Sequence, residues 1–151
     1  MPDLSALYQE VILDHNRRPR NFAALEGADH QSEGFNPLCG DRVTVYVKLK
    51  GSVVDEISFQ GSGCAISMAS ASIMTESLKG RKLEEVKALF ERFHQLVTGK
   101  LDSEDPTEPD LGKLVVFEGV SRYPVRVKCA TLTWHTLRAA LEKRNEVVST
   151  E

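Results

Sequence analysis

The chain has 151 residues, 41% of them hydrophobic and 27% charged, a composition that predicts one domain over residues 1–151 able to bury its own apolar side chains. Its formal charge is −3, and no block of lysine or arginine is dense enough to neutralise a run of phosphates, which argues against a nucleic-acid partner. Asp3 and Glu10 interrupt the apolar residues of the first ten positions, so these form neither a signal-peptide core nor a membrane span, and a cytoplasmic protein without a membrane partner is expected.

Leu4, Leu7, Tyr8, Val11 and Ile12 recur at helical spacing behind Asp3, predicting a first amphipathic helix that ends in the polar string Asp14 to Arg20. From Asn21 to Pro37 no period is sustained, and a loop is expected, with Phe22 and Phe35 pinning it to the core. Val43, Val45, Val47 and Leu49 then alternate with polar residues, the period of a strand with one buried face. Gly51 and Ser52 turn the chain into a returning strand over Val53 to Gln60, giving an antiparallel hairpin.

Small residues from Ala65 to Ser72, followed by Ile73, Met74 and Leu78 before Gly80, predict a tightly packed helix beginning beside Cys64. A second amphipathic helix is marked by Leu83, Val86, Leu89, Phe90, Phe93 and Val97, and an acidic, proline-bearing loop follows over Gly99 to Pro109. Leu114 to Phe117 favours a helical turn over a strand. Pro124 interrupts the chain, and Val127 to Leu141 closes it as a helix, with Trp134 as a core residue.

The three cysteines cannot all pair within one chain, and a reducing compartment would keep them as thiols. Cys39 and Cys64 flank the predicted hairpin, so antiparallel pairing would bring them together despite their separation in sequence. Asp41 lies two residues from Cys39, and glycines stand beside both cysteines. Cys129 falls near the start of the last helix, where the helix N-terminus is expected to lower the pKa of a thiol. Three sulfurs and one carboxylate oxygen would suit tetrahedral zinc, or iron in a sulfide-bridged cluster, and their softness excludes magnesium and calcium.

Two other uses of these residues stay open. Any one cysteine alone is more readily a small buried hydrophobe. Cys64 could instead be the nucleophile of a cysteine hydrolase, with His135 as base and Asp41 as orienting group, although His135 lies six positions after Cys129 and so on roughly the opposite helix face. His15, His30 and His94 read as surface or satisfied core residues, His15 at a helix end that favours a cation, and Arg17, Arg18 and Arg20 read as solvated surface.

Three separated motifs in order resemble a known family: Cys39-Gly40-Asp41; Gly61-Ser62-Gly63-Cys64-Ala65-Ile66-Ser67; and Arg126-Val127-Lys128-Cys129-Ala130. From about Leu4 to Leu141 the chain resembles the iron-sulfur cluster assembly proteins of IscU and SufU type, similar to the N-terminal part of NifU. The resemblance implies an α+β fold, a small antiparallel sheet covered by helices, with Cys39, Cys64 and Cys129 as thiolate ligands and Asp41 as an exchangeable carboxylate ligand. It implies a cysteine desulfurase and apo iron-sulfur acceptor proteins as partners, and a carrier rather than an independent enzyme.

Two departures point to the SufU branch. Lys128 stands where IscU-like chains place a histidine, and Tyr123 to Val127 replaces their proline-rich stretch, which speaks against a dedicated chaperone. The segment Gly80 to Leu111 also resembles the insertion of SufU-like chains. That branch is implicated in zinc-dependent sulfur relay, with Cys39 as the favoured acceptor, and the IscU branch in building a 2Fe-2S cluster at the same four residues. Lys128 and Arg126 would support either role by placing positive charge beside a thiolate or an anionic cluster.

Overall fold

The computed structural model describes residues 5–100, 110–142 and 148–149. Helix α1 (Ser5–Arg17) leads to strands β1 (His30–Asn36), β2 (Asp41–Lys50) and β3 (Val53–Ser62), then to helices α2 (Ala65–Leu78) and α3 (Leu83–Val97). A 3-10 segment (Gly112–Arg122), helix α4 (Pro124–Leu141) and a short strand β4 (Val148–Ser149) complete the order. The sheet runs β3-β2-β1-β4, antiparallel across its first three strands, with β4 parallel to β1. The expected acidic loop falls mostly on residues 101–109, outside the described residues.

The predicted hairpin is present, and β3 continues two residues beyond Gln60 to Ser62. Val43, Val45 and Val47 of β2 and Ile57 and Phe59 of β3 turn to one face, which α2 and α4 cover. Between Asn21 and Pro37 the structure places strand β1 where a loop was expected. Its inward residues are Ser32, Gly34 and Asn36, small or polar, so the strand has the right period without the apolar signal. Gly34 lets α4 approach closely, because a Cβ there would overlap Thr136 Oγ1.

The two phenylalanines part company. Phe22 meets Phe59 edge-on at 5.2 Å, and residues 21–23 bond to the β3 backbone at the sheet edge. Phe35 faces away from the core, under the Arg42 guanidinium at 4.7 Å. Trp134 is buried and stacks on Phe93 at 4.8 Å, which joins α4 to α3. Pro124 is the first residue of α4, where its missing N–H costs no hydrogen bond, so the helix starts earlier than Val127.

Helix α1 also extends further than its apolar residues suggested, into the string that begins at Asp14. Leu7 is 54% exposed, and the buried stripe runs through Ile12 to His15. His15 is 1% exposed, with Nδ1 2.7 Å from Ser72 Oγ, and Ser72 Oγ also accepts the Arg20 N–H at 2.8 Å. Although the helix end favours a cation, of the two expectations for His15, surface or satisfied core, the structure gives the second. Burial first, then the charges of Arg20 and Lys113, push its pKa below 6.5.

That shift fixes a pH dependence. The unfolded imidazole takes up a proton near 6.5 and the native one only at lower pH, so the stability held by neutral His15 is complete above 6.5 and falls as pH drops below it. Each such histidine contributes a slope of at most about 1.4 kcal/mol per pH unit. Denaturant unfolding between pH 7 and pH 5 is expected to show falling stability, and His15→Gln to flatten the profile; an equally steep profile in the variant would contradict this placement of His15.

Candidate metal centre

The site forms at the end of the sheet where β1, β2, β3 and the starts of α2 and α4 meet. Residues 37–40 turn the chain from β1 to β2, with Gly40 at φ +71° closing the turn through its N–H to the Asn36 carbonyl at 2.8 Å. Asp41 opens β2 opposite Asn36 in the register, and Arg42 pairs with Ser62 of β3. The register therefore carries Cys39 and Cys64 to the same end of the hairpin.

Asp41 is 0% exposed. Its Oδ1 accepts the Cys64 N–H at 2.8 Å, and its Oδ2 lies 3.2 Å from Asn36 Nδ2 and 3.9 Å from Cys64 Sγ. Gly63 makes this possible, since a Cβ there would overlap Asp41 Oδ1. Cys64 is the N-cap of α2, and its sulfur accepts the Ser67 N–H at 3.5 Å. Cys129 is buried, six residues into α4, with its sulfur 3.3 Å from Cys39 Sγ and 3.5 Å from Asn36 Nδ2. Ligand atoms of Cys39, Asp41 and Cys129 all fall within 4.8 Å of one another.

The expected effect of a helix N-terminus on Cys129 is reversed. Burial first, then the hydrogen bond to Cys39 and the charge of Cys64, push its thiol well above the ordinary range. Its place in the second turn of α4 sets it inside the core rather than at the exposed N–H groups. Among the described residues no lysine or arginine forms an ion pair with Asp41. Buried charges are ordinarily paired or bound to metal, and a dication between these groups would reverse the local electrostatics.

Arg126 is exposed, and its pKa is raised by the charge of Cys64 first, then by a hydrogen bond to Cys129 and the charges of Cys129 and Cys39. Lys128 is half-buried on α4, one residue before Cys129. His135 lies elsewhere, its ring 5.5 Å from Phe90 and 6.3 Å from His94, and among the described residues no histidine hydrogen-bonds Cys64. The nucleophile-base arrangement of a cysteine hydrolase is thus not formed. Asn36, which sequence reasoning passed over, touches both Asp41 and Cys129; its only signal was a polar residue just ahead of Pro37 and Cys39.

Cys39, Asp41 and Cys129 form the candidate metal-binding group, and Cys64 stands outside it with its sulfur 3.9 Å from Asp41 Oδ2. Thiolate sulfurs with a carboxylate oxygen are soft and anionic enough for zinc or for iron in a cluster. Cys39 and Cys64 are half-buried, so the centre opens to one side. Leu38, Tyr123 and Val125 are exposed around that opening, and a cleft of about 540 Å³ lined by Tyr8, Ile12, Ile66, Val120, Tyr123 and Arg126 runs beside it. No described helix is long and apolar enough to cross a membrane.

Comparison with known proteins agrees with this geometry. Residues 7–143 match the family described as the NifU-like N terminal domain. The chain is 40% identical over 93% of its length to the zinc-dependent sulfurtransferase SufU of Bacillus subtilis, covering 93% of that protein. It is 37% identical over 93% of its length to the iron-sulfur cluster assembly scaffold protein IscU of Streptococcus pyogenes, covering 86% of it. A crystal structure of a SUF-system assembly scaffold protein from Fervidobacterium islandicum superposes with TM-score 0.81 at 34% identity, over 92% of this chain and 99% of that one. Fold, site and sequence converge, and the chain belongs to the NifU-like N-terminal domain family, which includes the SufU and IscU proteins of iron-sulfur cluster assembly.

Proposed function

We propose that this chain, acting as one domain, is an iron-sulfur cluster assembly protein that holds zinc through Cys39, Asp41, Cys64 and Cys129 and accepts sulfur from a cysteine desulfurase. The observation that carries the reading is the buried Asp41 carboxylate, unpaired by any described cation and set against three thiols. Likeness to a protein named as a zinc-dependent sulfurtransferase favours zinc as the resident ion. Likeness to IscU scaffold proteins favours a second use of the same donors, with iron and sulfide as cargo for an apo acceptor.

Bound zinc would supply the charge that keeps these thiols ionised at neutral pH. Cys39 is the favoured acceptor, because it lies in the turn between β1 and β2 and is half-buried, whereas Cys129 is buried in α4 and Cys64 caps α2. Its thiolate attacks the outer sulfur of the desulfurase persulfide. The new S–S bond forms on Cys39 as the persulfide's own S–S bond breaks, the desulfurase cysteine leaves as a thiolate, and no external oxidant or reductant is consumed. Arg126 beside the thiols favours anionic sulfur during transfer, and Lys128 adds positive charge on the same helix. The apolar residues Leu38, Tyr123 and Val125 around the opening suit a protein partner.

Two measurements test this reading. Anaerobically purified protein is expected to carry one zinc, to gain a persulfide sulfur when incubated with a cysteine desulfurase and L-cysteine, and to lose that gain on chelation or in Cys39→Ser; sulfur acceptance indifferent to chelation would contradict it. A coloured, acid-labile iron-sulfide centre transferable to an apo acceptor would establish the scaffold use instead. Gly63→Ala, by displacing the Asp41 carboxylate without changing a ligand, is expected to weaken zinc binding by about 10–100-fold in a chelator competition. Unchanged affinity would remove Asp41 from the ligand set.

A further inference from the structure

We propose that Asn36, which is not a ligand, is the positioning residue of the metal centre: its side-chain amide holds Asp41 Oδ2 and the Cys129 sulfur in place by donating to both. The inference rests on the metal-binding reading above. Asn36 is 0% exposed and closes β1 on the inward face of the sheet, directly across from Asp41. A buried primary amide needs partners for two N–H groups and one oxygen. Here Nδ2 donates to Asp41 Oδ2 at 3.2 Å and to Cys129 Sγ at 3.5 Å, while Oδ1 accepts the Leu38 N–H at 3.3 Å. The last contact fixes the amide's orientation, because a backbone N–H can only face the oxygen.

Asn36 thereby holds three parts of the site at once. It touches the carboxylate and the buried thiol, and through Leu38 N–H and Gly40 N–H it sets both sides of the turn that carries Cys39. Asp41 Oδ1 is committed to the Cys64 N–H in the space that Gly63 leaves by lacking a Cβ, which turns Oδ2 toward Asn36 and the thiols. Oδ2 keeps one lone pair for a metal while the other accepts from Asn36. Donation to a ligating oxygen and sulfur withdraws charge from both, which keeps their metal bonds exchangeable while their positions stay fixed. A neutral amide does this without adding a charge to a site that already gathers three thiols and a carboxylate.

The test uses cobalt(II), whose absorption reports coordination, together with zinc competition against a chelator. Asn36→Asp keeps the shape and the acceptor toward Leu38 but turns an oxygen toward Asp41 and Cys129 in place of the donor. It is expected to bind cobalt and zinc about 10–100-fold more weakly and to shift the d–d and thiolate charge-transfer bands. A purely structural residue would lower the melting temperature of the metal-free protein and leave the bands of the loaded variant unchanged, and that result overturns the proposal. In the wild type, whose folding is not at issue, zinc is expected to shift the Asn36 side-chain NH₂ signals in a nitrogen-15 spectrum; signals unmoved by stoichiometric zinc also overturn it. Wild-type protein that binds neither metal would instead defeat the metal-binding reading itself.

Discussion

A carboxylate taken out of water without a cation beside it costs several kcal/mol, and Asp41 is fully buried with no lysine or arginine paired to it among the described residues. The surrounding structure is arranged to hold it there. Hairpin register sets Asp41 opposite Asn36 at the end of the sheet, Gly63 leaves the space that its Oδ1 occupies, and the Cys64 N–H at the start of α2 binds that oxygen at 2.8 Å. One side chain thus joins β1, β2 and α2, and the two half-buried cysteines are carried to the same place by the segments that hold it.

The third cysteine comes from a different part of the chain and obeys a different rule. Cys129 is delivered by α4, whose packing across β1 and β2 depends on Gly34 in the sheet and on the Trp134 stack against α3. Depth in the helix removes Cys129 from the N-terminal dipole, and a thiol, a carboxylate and an amide lie against it on the inner side, with the Arg126 guanidinium at the outer one. Arg126, at the exposed rim, opposes the gathered negative charge. In the proposed function a divalent ion would complete these electrostatics, and sulfur acceptance is expected to depend on it.

Much of this was legible before the fold was known. Alternation in β2 and β3 revealed the hairpin, whose pairing brings Cys39 and Asp41 to the same end as Cys64 and its flanking glycines. What escaped has definable causes. Strand β1 buries Ser32, Gly34 and Asn36, so hydrophobic patterning has nothing to register; its backbone pairs with β2, and Gly34 leaves room for the close approach of α4. Asn36 was invisible for the same reason, since a polar residue in an apparent loop carries no sign of burial. The raised thiol of Cys129 could not be read from its place near a helix start, because desolvation depends on what packs above it. His15 shows the same limit: a helix-end histidine and a core histidine are identical in sequence, and the contact with Ser72 decides between them.

The most direct test of the account is X-ray absorption at the zinc edge on the zinc-loaded protein. Three sulfurs at about 2.3 Å and one oxygen at about 2.0–2.2 Å are predicted, the signature of Cys39, Cys64 and Cys129 with Asp41 bound through a single oxygen. A shell of two sulfurs with two light atoms, or of light atoms alone, would contradict it.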